Sequence, residues 1–248
     1  MRIVAVSNQK GGVGKTSTAV NLAAALGERG RRVLVIDLDA QSNASTWLGI
    51  RDAGRGLLEV LTQGAPLAQI IRPSTVPGVD CAPSSAWLLG VERTLAGEVG
   101  AELILRRRLE GIPRDKWDIL IIDTPPNLGL LTLNALAAAG EALIPLEPRA
   151  LALEGLAMML KTLGAVKERL NPALTWRVLI TRATRTRHAR EVEERLRGRL
   201  GAGVLRTRIR ENTRLSEAPS FAQSILEYDP ASHGAEDHRA LADEFLEV

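Results

Sequence analysis

Lys10-Gly11-Gly12-Val13-Gly14-Lys15-Thr16-Ser17 is a glycine-rich run bounded by cations and hydroxyls, a combination suited to holding a phosphate chain. Its glycines let the backbone wrap closely, so that several N–H groups and the start of the next helix face the anion. Lys15 then reaches the terminal phosphates, and the Thr16 hydroxyl offers a ligand to Mg²⁺. A strict Gly-x-x-x-x-Gly-Lys-Thr pattern asks for glycine at position 9, where Gln9 stands, and a second lysine, Lys10, opens the loop instead. Two acidic segments complete the inventory. Asp37-Leu38-Asp39 sets carboxylates at i and i+2, which share one side of an extended strand. Ile119-Leu120-Ile121-Ile122 is an apolar run that delivers Asp123 to the Mg²⁺ of a bound nucleotide, directly or through water.

Positioning these groups requires strands that end where the chemistry begins. The pattern predicts strands over Ile3–Ser7, Arg32–Leu38, Val79–Ala82, Trp117–Ile122, Glu141–Leu146, Trp176–Thr181 and Val204–Thr207. Several are short continuous apolar runs, as parallel strands covered on both faces should be. Helices are expected over Ser17–Arg29, Arg55–Thr62, Ala101–Leu109, Gly129–Ala139, Glu154–Leu170, Arg187–Leu200 and Ala235–Phe245. This alternation predicts an α/β fold: one doubly wound, mostly parallel sheet with helices on both faces. Ligand sites in such sheets lie beyond the carboxyl ends of the strands, which is where each candidate residue falls. No repeat or linker interrupts the chain, so residues 1–248 are read as one domain.

Composition narrows the class. An apolar share of 45% and a charged share of 25% are ordinary for a globular domain. The apolar runs Leu130–Ala139 and Ala150–Leu160 are too short or too interrupted to span a bilayer, and the N-terminus lacks a secretory cleavage pattern. A cytoplasmic protein is expected. The single cysteine, Cys81, excludes an intrachain disulfide and reads as a small strand residue near the core. His188, His233 and His238 have no metal-ligand spacing and read as surface residues.

Charge is distributed unevenly. Residues 177–214 carry twelve arginines against four glutamates, a net +8, which leaves −5 for the rest of a chain whose total is +3. Residues 215–248 are acidic, with eight carboxylates against Arg239. A basic cluster of this kind is the footprint expected for a polyanion. With aromatic residues at only 3%, stacking platforms for single strands are poorly supplied, and duplex DNA held through its phosphates is the better fit. Pairing of Arg190–Leu200 arginines with Glu191, Glu193 and Glu194 along one helix is the competing explanation.

The second lysine begins a wider resemblance. Lys10–Ser17 resembles the deviant Walker A motif of the ParA/MinD class of P-loop ATPases. Asp37–Asn43 is similar to that class's Asp-x-Asp-Pro-Gln-x-Asn, with Ala40 at the proline, and Asp123-Thr124-Pro125-Pro126 resembles its Walker B strand and second switch. Arg210-Glu211-Asn212-Thr213-Arg214-Leu215-Ser216-Glu217-Ala218-Pro219-Ser220 resembles the ParA/Soj segment Pro-Arg-Asn-x-Arg-Leu-Ser-Glu-Ala-Pro-Ser. Ala152-Leu153-Glu154-Gly155 and Leu226–Pro230 extend the likeness over nearly the whole chain. Departures are Arg210-Glu211 in place of Pro-Arg, and Ala150 and Leu151 where tyrosines are usual.

The resemblance implies a specific set of roles. ATP and Mg²⁺ would join two copies in a nucleotide-sandwich dimer, with Lys10 crossing to the partner's phosphates as an arginine finger does. Asp39 would position the attacking water, Asp37 would stand in the metal's outer shell, and Thr16 and Asp123 would hold the metal. Thr181, Arg182 and Asn212 match the region around adenine. Arg214 matches an arginine that contacts DNA nonspecifically, with Arg185, Arg187 and Arg210 beside it. The implied protein is a nucleoid-associated partitioning ATPase whose hydrolysis a ParB-like partner stimulates. The acidic Ala235–Val248 end is unlike the basic membrane-docking helix of MinD-like relatives, so no membrane partner is expected. A first strand starting at residue 2 leaves no expected room for an N-terminal DNA-reading module. Two other readings stay open: a metabolic P-loop phosphotransferase of the dethiobiotin-synthetase kind, and a non-enzymatic, nucleotide-switched positioning scaffold.

Overall fold

Eight strands form one sheet in the computed structural model, which describes residues 1–149 and 152–247. They are β1 (Arg2–Val6), β2 (Val33–Asp37), β3 (Arg72–Pro73), β4 (Val79–Ala82), β5 (Ile119–Asp123), β6 (Glu141–Leu146), β7 (Thr175–Ala183) and β8 (Val204–Arg210). Their spatial order is β3-β4-β2-β5-β1-β6-β7-β8, and every neighbouring pair is parallel except β3 with β4. The antiparallel exception is a two-residue edge strand containing Pro73, which has no N–H to give to a ladder.

The helices are α1 (Lys15–Glu28), α2 (Asn43–Trp47), α3 (Gly56–Gln63), α4 (Val91–Thr94), α5 (Ile104–Leu109), α6 (Leu130–Ala138), α7 (Ala152–Arg169), α8 (Arg187–Leu200), α9 (Arg214–Glu217), α10 (Ile225–Tyr228) and α11 (His233–Leu246). Two apolar cores lie on opposite faces of the sheet. Alternate strand residues divide between them: Ala5, Leu34, Ile36, Leu120 and Ile122 face α3, α5, α6, α7 and α8. Val4, Val6, Val33, Val35 and Ile121 face α1, α2, α10 and α11. This period-two division of almost wholly apolar strands is the doubly wound arrangement the sequence predicts. Cys81 is buried in the second core, as expected of it.

Differences from the sequence reading have local causes. The helix expected over Ala101–Leu109 starts as a 3₁₀ turn, Ala101–Leu103, because the Asn134 side chain takes the Leu105 N–H and donates to the Ala101 carbonyl. β7 and β8 run longer than predicted because their polar ends are still paired, Ala183 with Arg210. The short α2, α4, α9 and α10 carry too few turns to show a period. His238 is a correction: it is fully buried, on the inner face that also presents Leu241, Ala242 and Phe245. The tyrosine-replacing Ala150 and Leu151 lie outside the described residues.

Candidate functional site

The phosphate loop leaves β1 at Val6 and enters α1 at Lys15. Gly12 and Gly14 take φ of +74° and +86°, a left-handed backbone that a side chain would strain. Four hydrogen bonds from three side chains hold the loop's shape. The Asn8 side chain accepts from the Lys10 N–H at 3.0 Å and donates to the Pro145 carbonyl at 2.8 Å. The Thr181 hydroxyl donates to the Val13 carbonyl at 2.8 Å, which ties the loop to β7. Lys15 crosses the loop to donate to the Lys10 carbonyl at 3.0 Å. Burial lowers the Lys15 pKa, opposed by the nearby charges of Asp123 and Asp39. Lys10 itself is exposed, so the two lysines of the motif have separate environments.

Asp37 and Asp123 end β2 and β5 in direct register, and both are fully buried. Asp37 has its charge dispersed by donors: Ser45 N–H at 2.8 Å, Ser45 hydroxyl at 2.7 Å and Asp39 N–H at 3.1 Å. Burial still pushes its pKa up to about 6. Asp123 has no such donors in hydrogen-bond geometry on either carboxylate oxygen, although the Thr16 hydroxyl and Lys15 stand near enough to favour its charge. Burial drives its pKa well above the ordinary value, and the neighbouring Asp37 adds to this. A buried, unpartnered carboxylate beside a hydroxyl and a phosphate loop is a set of hard oxygens awaiting a cation, and Mg²⁺ fits it. Among the described residues, no group of three or more His, Cys, Asp or Glu side chains forms a cage of its own. Mg²⁺ bound with substrate phosphates needs only one or two carboxylates.

Asp39 does not continue the strand alternation, because β2 ends at Asp37. It is half-buried in a turn, where its carboxylate accepts from the Gln41 N–H at 3.0 Å and its carbonyl accepts from the Ser84 hydroxyl at 2.6 Å. Ser84 also donates its N–H to the Ser45 hydroxyl at 2.8 Å. Ser45 and Ser84 thus organise both aspartates, and sequence reasoning missed them. Ser45 lies in the short helix α2 that follows Asp37, but Ser84 arrives from the end of β4 and carries no local signal.

Beyond the loop, a cleft of about 350 Å³ opens between α1, the end of β7 and the segment after β8. Gly14, Ser17, Thr181, Asn212, Thr213 and Leu215 are among the residues that line it. Thr181, Arg182 and Asn212, named from the sequence, therefore meet in one cavity that adjoins the phosphate loop. His238 closes the cleft from beneath; its Nδ1 donates to the Gly234 carbonyl at 2.8 Å and its Nε2 has no partner. Burial depresses its pKa to about 4.

The arginine-rich segment folds back against acidic partners. Arg210 makes a bidentate pair with Asp237 and a second with Glu236, which raises its pKa. Arg206 pairs with Glu244 and Glu247, and Arg197 and Arg208 share Glu193. Arg214 reaches Glu217 at 2.8 Å and Asp229 at 3.7 Å, and Arg187 reaches Glu191 at 2.9 Å. Among the described residues, Arg185, Arg195 and Arg199 are exposed and make no ion pair. Arg185 lies with Arg208, Arg210 and His233 around a surface hollow. No described helix is long and apolar enough to cross a membrane.

A glycine loop at the β1–α1 turn, carboxylates ending β2 and β5 and a base-sized cleft beside them define a P-loop ATPase with two lysines in its loop. Residues 1–176 match a family model described as an AAA domain. The chain is 42% identical to the sporulation initiation inhibitor Soj of Bacillus subtilis, covering 98% of this chain and 97% of that one. It is 44% identical to the chromosome-partitioning ATPase Soj of Thermus thermophilus, covering 99% and 96%. A solved cobyrinic acid a,c-diamide synthase from Mycobacterium smegmatis, with an ATP analogue and magnesium, is 34% identical, covers 99% of this chain and 94% of that one, and gives a TM-score of 0.86. The chain belongs to the Soj/ParA family of chromosome-partitioning ATPases. It is an ATPase that uses ATP and Mg²⁺.

Proposed function

We propose that this partitioning ATPase works as one domain, a nucleotide-switched clamp that grips duplex DNA as an ATP-joined homodimer and lets go on hydrolysis. Lys15, Gly11 to Gly14 and the start of α1, including Ser17, hold the phosphates; Lys10 reaches those of the second copy. Thr16 and Asp123 hold Mg²⁺, with Asp37 and Asp39 in its outer shell. The metal, when bound, neutralises charge on the β- and γ-phosphate oxygens. Asp39 orients a water in line with the γ-phosphorus. The water oxygen bonds to phosphorus as the bond to the β–γ bridging oxygen breaks, giving ADP and phosphate. The lysines stabilise the charge gathering on the oxygens.

Observations on β7 carry this reading. Thr181 and Arg182 line the cleft, and three residues on stands Arg185, exposed and unpaired. Nucleotide and polyanion would thus be sensed by one short segment. Arg187, Arg210 and Arg214 flank it, and a dimer doubles every such contact. Because each phosphate contact enters the exponent of a salt-dependent affinity, doubling multiplies affinity rather than adding to it. A ParB-like adaptor would stimulate hydrolysis, and the protein would be cytoplasmic and associated with the nucleoid. The synthase likeness offers a second reading, ATP-driven chemistry on a small acceptor, but the partitioning relatives are more similar to this chain.

Retention of long nonspecific duplex DNA with ATP, ADP or no nucleotide, over a salt series, tests the proposal. ATP-selective retention with a steep salt slope is expected, and Arg214→Glu, which reverses a charge in each copy, should weaken it while keeping ATP. Retention indifferent to nucleotide, or undiminished in Arg214→Glu at moderate salt, would count against the clamp.

A further inference from the structure

Two segments far apart in the chain are pinned together behind the phosphate site. Helix α2 follows Ser42 and carries Ser45, whose N–H and hydroxyl both hold one oxygen of the buried Asp37. Two residues on, the Trp47 indole N–H donates to the Gln223 carbonyl at 2.6 Å, from a side chain that is almost wholly buried. The Leu48 carbonyl accepts from the Thr75 N–H at 3.1 Å, and the Thr75 hydroxyl donates to the Ala222 carbonyl at 3.1 Å. Two successive carbonyls of one turn are thus taken at the far end of α2.

Both ends of this connection are strained. Among the described residues, three that are not glycine take a left-handed φ, and two of them stand here: Ser42 at +56° and Ala222 at +51°. Such a backbone persists only where its surroundings over-determine it, and it collects in segments that switch. On its other side the turn is continuous with Arg214, because α9 runs into it through a 3₁₀ turn, Ala218–Phe221. The exposed Phe221 ring stacks on Tyr228 at 5.1 Å, and the Tyr228 hydroxyl donates to Glu217 at 2.9 Å. Glu217 is the carboxylate that pairs with Arg214. A continuous chain of hydrogen bonds, one ring stack and one ion pair therefore runs from Asp37 to Arg214.

Resting on the clamp reading above, we infer that Trp47 and Thr75 are positioning residues that couple the nucleotide site to the Arg214 surface within each copy. Asp37 stands in register with the unpartnered Asp123, where charge changes when a ligand arrives. Any shift of its carboxylate is carried by Ser45 into α2. That helix is five residues long and has no slack to absorb the shift, since its end is fixed to the turn. The turn then moves the Phe221–Tyr228 stack, and with it the hold of Glu217 on Arg214. Nucleotide state in this way sets how readily Arg214 exchanges a carboxylate for a phosphate, a contribution separate from the doubling of contacts in a dimer.

Affinity of the full chain for a fluorescein-labelled, random-sequence duplex, read by anisotropy with Mg·ATP and with Mg·ADP, gives a ratio that measures this coupling. Trp47→Phe keeps an aromatic ring in the core and loses the indole N–H. Thr75→Val, at an exposed position, loses the hydroxyl at nearly constant volume, so the fold is not at risk. Each should cut the ATP-to-ADP ratio about fivefold, the scale of one hydrogen bond, with affinity in ADP held within about twofold. By linkage, the preference for ATP over ADP that DNA confers should fall by the same factor. Equal weakening in both nucleotides, the mark of a plain brace, or an unchanged ratio in both variants would overturn the inference. A wild-type chain with no ATP preference would instead remove the clamp reading and this inference with it.

Discussion

The phosphate end and the arginine end of this molecule handle their charges in opposite ways. At the phosphate end the decisive groups are buried and incomplete. Asp123 has no hydrogen-bond partner, and Lys15 rests on a carbonyl of its own loop. At the arginine end the groups are exposed and mostly satisfied, with Arg206, Arg210 and Arg214 each holding two carboxylates. An incomplete buried site is finished by its ligand and so responds strongly to it. A satisfied surface must exchange partners, and gains little from each exchange. The first should therefore yield all-or-none variants and the second graded ones.

The largest effects separate the two lysines of the loop. Lys15→Ala should weaken Mg·ATP binding at least about a hundredfold by calorimetry, since it removes a buried cation from a charge-assisted contact. Lys10→Ala, exposed in this chain, should leave ATP affinity within about threefold. Its steady-state phosphate release should nevertheless fall about a thousandfold at concentrations where the proposed homodimer forms, the lower range for a finger supplied in trans. Release by Lys10→Ala at the wild-type rate across a concentration series would dissolve the distinction between them.

An intermediate effect belongs to the seam between the regions, where α11 closes the cleft. His238 is neutral when folded, with its pKa depressed to about 4 by burial and pulled up by the Gly234 carbonyl and by Asp237. An unfolded histidine titrates near 6.5. Between these values the unfolded chain binds a proton that the folded chain refuses, so stability falls as pH drops through that window. Relative to pH 7.5, the cost at pH 5 is about 2 kcal/mol from this residue. Urea unfolding of wild type and His238→Gln at both values should show the variant losing that much less on acidification. Equal losses would place the acid sensitivity elsewhere.

Legibility in the sequence follows the same division. The phosphate loop, Asp37, Asp39 and Asp123 were readable because short segments adjacent to strands bring them together, and the apolar strands announced the sheet that aligns them. Ser45 and Ser84 were not, since a hydroxyl that reaches a backbone carbonyl from 45 residues away has no pattern along the chain. The burial of His238 is legible in its spacing to Leu241, Ala242 and Phe245, whereas metal-ligand spacing says nothing about it. The +8 segment misled in degree. Counting along the chain could not foresee that α11 lies against β8 and returns carboxylates to Arg206 and Arg210. Net charge is a property of sequence, whereas free charge is a property of the fold.

That last distinction sets the smallest effects, and a pair of arginines measures it. Arg185 makes no ion pair, so Arg185→Ala should lose about one counterion's worth of salt dependence in ATP-bound DNA retention, a slope change near 0.9 for each phosphate contact released. Thermal stability should hardly move, because nothing in the fold leans on that side chain. Arg210 should behave inversely. Its Nε and Nη2 grip both oxygens of Asp237, a carboxylate that is only 8% exposed. Removing the arginine leaves that charge half-answered, costing about 1 kcal/mol of stability, while the DNA salt slope shifts by less than in Arg185→Ala. If Arg210→Ala lowered the slope as much as Arg185→Ala did, then Asp237 and Glu236 would be releasing their arginine to the phosphates. Nucleotide-driven displacement of α11 from β8 would then join the switch.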